Sequence, residues 1–129
     1  MHEITAPNGV KYWQFETFPA TGLQHGVLTR HGGVSSAPWE SLNFAWKSVG
    51  DTEINVRENV RRAHAAIGTD PARAVDRYIA HTNRIWHVND RHLGLEAPYM
   101  DGFVTKTKNL ALVLTFADCQ PILAYDPIA

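Results

Sequence analysis

Aromatic and polar residues alternate through Tyr12-Trp13-Gln14-Phe15, and Pro19 and Gly22 break that alternation before Gly26-Val27-Leu28-Thr29-Arg30 resumes an extended pattern. The spacing predicts two early strands. From His31 to Gly50 the regular spacing disappears, and Gly32-Gly33, Ser35-Ser36, Pro38 and Asn43 make turn formers too dense for a long element. A connection of this length is uncommon unless it lines a site. The period then becomes helical. Val56, Val60, Ala63 and Ile67 follow one face, Asp51 or Thr52 stands at the N-cap position, and Gly68 closes the segment. Arg57, Arg61 and Arg62 lie mostly on the other faces near Glu53 and Glu58, which reads as a solvated helix surface in preference to an anion patch. Asp70-Pro71 predicts a short second helix running towards Arg77. Strand-like segments follow at 84–88, 102–105, 110–116 and 121–125. The third of these is apolar on both faces, as a central strand covered on both sides is.

Strands of this kind with two intervening helices predict an α+β fold, a layered mixed β-sheet domain with flanking helices. The length of 129 residues allows one core, so a single domain over 1–129 is expected. The chain stops at Asp126-Pro127-Ile128-Ala129, directly after a core strand, and is therefore expected to be incomplete at the C-terminus. Composition narrows the classes further. A hydrophobic fraction of 44% with four Trp, four Tyr and five Phe argues against disorder. A net charge of −1 provides no global field for holding nucleic acid or an anionic membrane surface. No apolar run approaches the ~18 residues of a membrane span, and Met1-His2-Glu3-Ile4-Thr5 lacks the regions of a signal peptide. With Cys119 as the only cysteine, a cytoplasmic protein is expected; oligomeric state is open.

Three places hold candidate chemistry. Cys119 lies in Ala117-Asp118-Cys119-Gln120-Pro121, where a polar pair and a proline interrupt an apolar strand and the thiol can face a pocket; a buried structural cysteine is the competing reading. His81 stands in Ile79-Ala80-His81-Thr82-Asn83, just before a strand, and taken alone reads as a satisfied polar group. The separation of these two residues matches no compact metal-finger spacing. Arg30-His31-Gly32-Gly33-Val34-Ser35 has the composition of an anion site: a bidentate cation, glycines that allow close backbone approach and a hydroxyl donor. An ordinary glycine turn is the alternative there.

Taken together, the ordered blocks Thr29-Arg30-His31-Gly32-Gly33-Val34-Ser35, Ser41-Leu42-Asn43, Val49-Gly50-Asp51, Glu58-Asn59 with Arg61, His81, Asp101-Gly102-Phe103-Val104-Thr105 and Ala117-Asp118-Cys119-Gln120-Pro121 resemble the YfiH-like laccase-domain family. Its members are also called polyphenol oxidases or purine nucleoside phosphorylases. The resemblance covers about residues 23–126. It implies an α+β domain roughly twice this length, with catalytic zinc held by two histidines and a cysteine. His81 and Cys119 correspond to two of those ligands. The third belongs to a later His-Ala-Gly-Trp-Arg-Gly motif that this sequence does not contain. Where the family commonly shows Gln-Val-His-Gly, this chain has Ile79-Ala80-His81-Thr82, which keeps the histidine and loses the glutamine.

The activity so implied is phosphorolysis of adenosine, inosine or methylthioadenosine, with some adenosine deamination. Purine nucleoside and phosphate are then the partners. In that reading phosphate lies near Arg30 and the Gly32-Gly33 backbone, Ser35 and Asn43 also bind substrate, the purine stacks on loop aromatics such as Trp39 or Phe44, Asp118 acts with Cys119 at the catalytic centre, and Asp101 hydrogen-bonds a ligand histidine from behind; turn caps are the alternative for both carboxylates. Copper-dependent phenol oxidation is the alternative enzyme reading. A His₂Cys set suits copper, but Met1 and Met100 are the only methionines and no His-x-His pair offers a multi-copper cluster. A cysteine hydrolase using Cys119 with His81, and a non-catalytic binding or interaction module, complete the alternatives.

Overall fold

The computed structural model describes residues 1–19, 22–45, 50–96 and 98–128. Val49, the first residue of the expected Val49-Gly50-Asp51 block, and the terminal Ala129 lie outside the described residues. The chain divides into two compact units, residues 1–69 and 70–129.

The first unit begins with a three-stranded antiparallel sheet of order β1-β2-β3, comprising β1 (His2–Thr5), β2 (Lys11–Gln14) and β3 (Val27–Leu28). Both early strands are present, and β1 is an addition to the expectation. Its only large aliphatic residue is Ile4, too little for a visible alternation, and its pairing with β2 through Ile4 opposite Tyr12 makes it a strand. Helix α1 (Glu53–Ile67) begins where the Thr52 hydroxyl accepts the Asn55 N–H at 3.2 Å, and it ends where the Gly68 N–H returns to the His64 carbonyl at 2.9 Å. These are the start and stop signals read from the sequence. Ala66 and Ile67 pack against Ala6, Val10, Tyr12 and Leu42, which joins helix and sheet in one core. On the exposed side Arg57 pairs with Glu53 at 2.5 Å and Arg61 with Glu58 at 2.7 Å, as expected of a solvated face.

In the second unit the predicted helix from Asp70 towards Arg77 is corrected. Pro71–Arg73 forms one 3₁₀ turn, capped by Asp70 as its carboxylate accepts the Ala72 N–H at 2.9 Å, and the chain then straightens into β4 (Ala74–Tyr78). A five-residue segment with buried Val75 between less buried neighbours suits a strand once a partner is available. That partner is β7 (Ala111–Thr115), parallel to β4 from Ala74 opposite Ala111 to Tyr78 opposite Thr115. Strands β5 (Ile85–His87) and β6 (Gly102–Val104) form a second parallel pair. Val75, Val88 and Leu110 make the core, with Trp86, Leu93 and Phe103 against it.

Two strand expectations need correction. Among the described residues β7 pairs with β4 alone and exposes Leu112, so it is not a central strand covered on both sides. No strand forms at 121–125, where Pro121 has no N–H to offer and Ile122 is 91% exposed. The fold is α+β with mixed antiparallel and parallel pairing, and it has one α-helix among the described residues. No helix among them is long and apolar enough to cross a membrane.

Candidate functional site

Parallel strands leave their ladder at the same end, which is where α/β and α+β proteins commonly build sites. Here β4 and β7 exit together, and the ladder is extended past Tyr78 by the Ile79 N–H, which donates to the Thr115 carbonyl at 3.1 Å. His81 follows the end of β4 and Cys119 the end of β7. The constant offset of the β4–β7 register nearly equals the 38-residue separation of these two residues, so the exits carry them together. His81 Nε2 lies 3.7 Å from Cys119 Sγ. Both arrive through left-handed backbone: His81 itself has φ 57°, and Asp118, just before the cysteine, has φ 66°. Non-glycine residues rarely adopt this region, and such positions concentrate at functional sites.

Asp101 organises the turn that carries His81. Its carboxylate accepts the main-chain N–H groups of Ala80 and His81, each at 2.7 Å, and that of Thr82. The side chain of Thr82 and these amides hold the Asp101 carboxyl down at about 2. The expected contact from Asp101 to the histidine ring is therefore replaced by contacts to the histidine main chain. Asp118 is exposed on the turn beside Cys119.

The other candidate residues lie in the first unit. Arg30 is exposed, its Nε donating to the Glu40 carbonyl at 2.6 Å. Gly32 and Gly33 serve close packing of backbone on backbone: a Cβ on Gly32 would overlap Gly9 and Val10, and one on Gly33 would overlap Ser41 and Leu42. The Gly33 N–H donates to Ser41 Oγ at 3.1 Å. Ser35 donates its hydroxyl to Asp51 at 2.7 Å, and Asn43 donates to the same carboxylate at 2.8 Å and to the Ala45 carbonyl at 2.7 Å. The Ser35 hydroxyl, the Asn43 amide and then Asn55 and the Thr52 N–H hold the Asp51 carboxyl at about 2. Phe44 packs on the first core.

The hub of this network, Asn59, was missed as a chemical actor. Fully buried, it accepts the Val34 N–H at 2.8 Å and donates to Ser35 Oγ at 2.9 Å, the Ser41 carbonyl at 3.2 Å and the Asn43 carbonyl at 2.7 Å. The signal was present in the sequence: Asn59 falls on the stripe of α1 that buries Val56 and Ala63. A polar residue on an apolar stripe requires internal partners.

Residues 24–129 match the family described as multi-copper polyphenol oxidoreductase laccase. The chain belongs to that family. Its curated relatives include Purine nucleoside phosphorylase ORF3 of Streptomyces griseus, 40% identical over 119 residues that make up 90% of this chain and 48% of the relative. Purine nucleoside phosphorylase YlmD of Bacillus subtilis is 37% identical over 112 residues, covering 80% of this chain and 39% of the relative. Purine nucleoside phosphorylase LACC1 of Mus musculus is 34% identical over 106 residues, covering 81% and 24%. The chain thus spans about half the length, or less, of these laccase-family proteins. No solved structure matches it.

Membership in the laccase family implies a metal, and the donor chemistry fits one in part. Two ligands at ~2.0 and ~2.3 Å on a tetrahedral ion stand about 3.5 Å apart, close to the observed separation of His81 Nε2 and Cys119 Sγ. Imidazole and thiolate suit zinc or copper. No group of three or more His, Cys, Asp and Glu side chains arranged for a metal occurs among the described residues.

Proposed function

We propose that this chain is the N-terminal portion of a zinc-dependent purine nucleoside phosphorylase, in which His81 and Cys119 are two of three protein ligands. The substrates are adenosine, inosine or methylthioadenosine with phosphate, and adenosine deamination is an accompanying activity. The observation that carries the reading is the 3.7 Å approach of imidazole nitrogen and thiol sulfur at the exits of a parallel strand pair. It is supported by the name purine nucleoside phosphorylase, which relatives 34–40% identical to this chain carry. Residues 1–129 then belong to a single laccase-like domain whose third metal ligand is a histidine outside this sequence, and the proposed compartment is the cytoplasm.

Zinc held by His81 and Cys119 would supply Lewis acidity. The work of the chain itself is separable from that. Arg30, with Nε engaged by Glu40, presents its terminal amino groups to a phosphate dianion, which a planar guanidinium meets in two-point geometry. Gly32, Gly33, Ser35 and Asn43 act by fixing the loop that carries Arg30. Asp118 holds or moves a proton at the substrate as the acid/base group, and Trp39 offers an aromatic face to the purine.

The test compares the 129-residue chain with the same chain joined to the C-terminal remainder of the Streptomyces griseus relative. Zinc per protein and purine released from adenosine in phosphate buffer are measured for both. The joined form is expected to hold about one zinc and to release purine, and the short chain to bind zinc weakly without turnover. Cys119→Ser in the joined form abolishes both. Retention of stoichiometric zinc and full turnover by that variant overturns the reading.

A further inference from the structure

We infer that Asp101 is a positioning residue for the His81–Cys119 pair and that it acts through the main chain of His81. The inference deepens the proposed metal site and rests on that reading. Three consecutive N–H groups, those of Ala80, His81 and Thr82, converge on one carboxylate. Such convergence requires a tight local curl, and the left-handed φ of 57° at His81 lies at its centre. While the His81 amide is held by Asp101, the imidazole Nε2 meets Cys119.

The clamp is tertiary. An Asp that caps a turn ordinarily serves amides two or three residues away, whereas Asp101 lies 19 to 21 residues after the amides it holds. Asp101 is itself fixed where β6 begins: its N–H donates to the Arg84 carbonyl at 3.1 Å, and the next residue, Gly102, stands opposite Ile85 in the β5–β6 register. Pairing of β5 with β6 therefore sets the carboxylate, the carboxylate sets the turn, and the turn aims the ligand histidine. The carboxylate is taken up by these main-chain amides and the Thr82 side chain, so the imidazole can keep its contact with Cys119 while the clamp holds.

The test uses the full 129-residue chain as wild type, Asp101→Asn and Asp101→Ala, and two readouts other than turnover. In the metal-free protein, NMR records amide hydrogen exchange at residues 80–82 and the nuclear Overhauser contact between the His81 ring and the Cys119 β-protons. Cobalt(II) titration of the same three sequences, each joined to the C-terminal remainder of the Streptomyces griseus relative, then records affinity and the thiolate-to-cobalt charge-transfer band. Asp101→Ala is expected to speed exchange at residues 80–82 by tenfold or more, to erase the ring–thiol contact, and to weaken cobalt binding roughly 10- to 100-fold. Asp101→Asn keeps one acceptor oxygen for the Ala80 and His81 amides and is expected to fall between wild type and alanine. It carries the test if Asp101→Ala fails to fold. Faster exchange with an unchanged ring–thiol contact and cobalt affinity within twofold of wild type overturns the inference, because the clamp would then serve the turn alone. Absence of the ring–thiol contact in the wild type overturns it as well. A wild type that shows the contact but binds no cobalt sinks the metal reading, while the contact in the variants still decides the clamp.

Discussion

The loop residues 31–45 and 50–51 and the turn of residues 79–84 are both polar and both largely without regular structure, yet they dispose of their hydrogen-bonding groups differently. Ser35, Asn43 and Asp51 of the loop and Asn59 of α1 satisfy one another, and Ser35, Asp51 and Asn59 are buried. In the turn, one carboxylate collects three amides and leaves His81 exposed beside a partly exposed thiol. Polar composition is shared, so composition does not separate structural from chemical roles. The separating observation is which side chains remain available after the backbone has been served. By that measure Ser35 and Asn43 are loop-forming groups, and His81 and Cys119 are presented groups.

The largest effect that tests this contrast is expected at Asn59. Replacement by alanine leaves a buried N–H and several carbonyls without their partner, and a loss of about 3 kcal/mol is expected from chemical denaturation. A loss below ~1 kcal/mol would mean that the loop is held otherwise. Gly33→Ala is next, with an expected loss of about 2 kcal/mol, since the new methyl has to displace the Ser41 and Leu42 backbone. A melting curve that matches wild type would reopen the ligand-approach reading of that glycine.

Acid sharpens the comparison more gently. The Asp51 carboxyl is held at about 2 in the folded chain and titrates near ~3.9 when unfolded, so the folded state binds that proton less readily. Its contribution is complete above pH ~4 and is lost as pH falls towards 2. Asp51→Asn is expected to reduce the difference in melting temperature between pH 5 and pH 2, and an unchanged difference would remove Asp51 from the account.

The smallest stability effects belong to the presented pair. Cys119→Ser and His81→Ala are expected to change unfolding free energy by less than ~0.5 kcal/mol, while each removes most cobalt binding. A large destabilisation without metal would assign the pair to structure.

Several of these features were legible in the residues themselves. Helix α1 was, because Thr52, the Val56–Ile67 spacing and Gly68 act within a few residues of one another. The early strands β2 and β3 were, from alternation and the breakers between them. Segment 74–78 was misread because a proline after an N-cap residue starts a 3₁₀ turn as readily as a helix, and its strand state depends on β7, far along the chain. Segment 121–125 was misread for the converse reason: apolar residues make a strand only where a neighbour takes their hydrogen bonds.

The sequence by itself determined the residue types that can hold a metal or an anion, the cap and stop of α1, and the ordered blocks of the laccase family. That His81 and Cys119 meet was implied by the family resemblance alone, since their separation has no local meaning; the physical cause of their proximity is the parallel register of β4 with β7. The sequence did not show that Asp101 reaches the His81 main chain, which requires β5 and β6 to pair first. Caps and turns act over one to four residues and can be read in a line of text; a parallel ladder joins segments dozens of residues apart, and only the folded chain brings such groups within bonding distance.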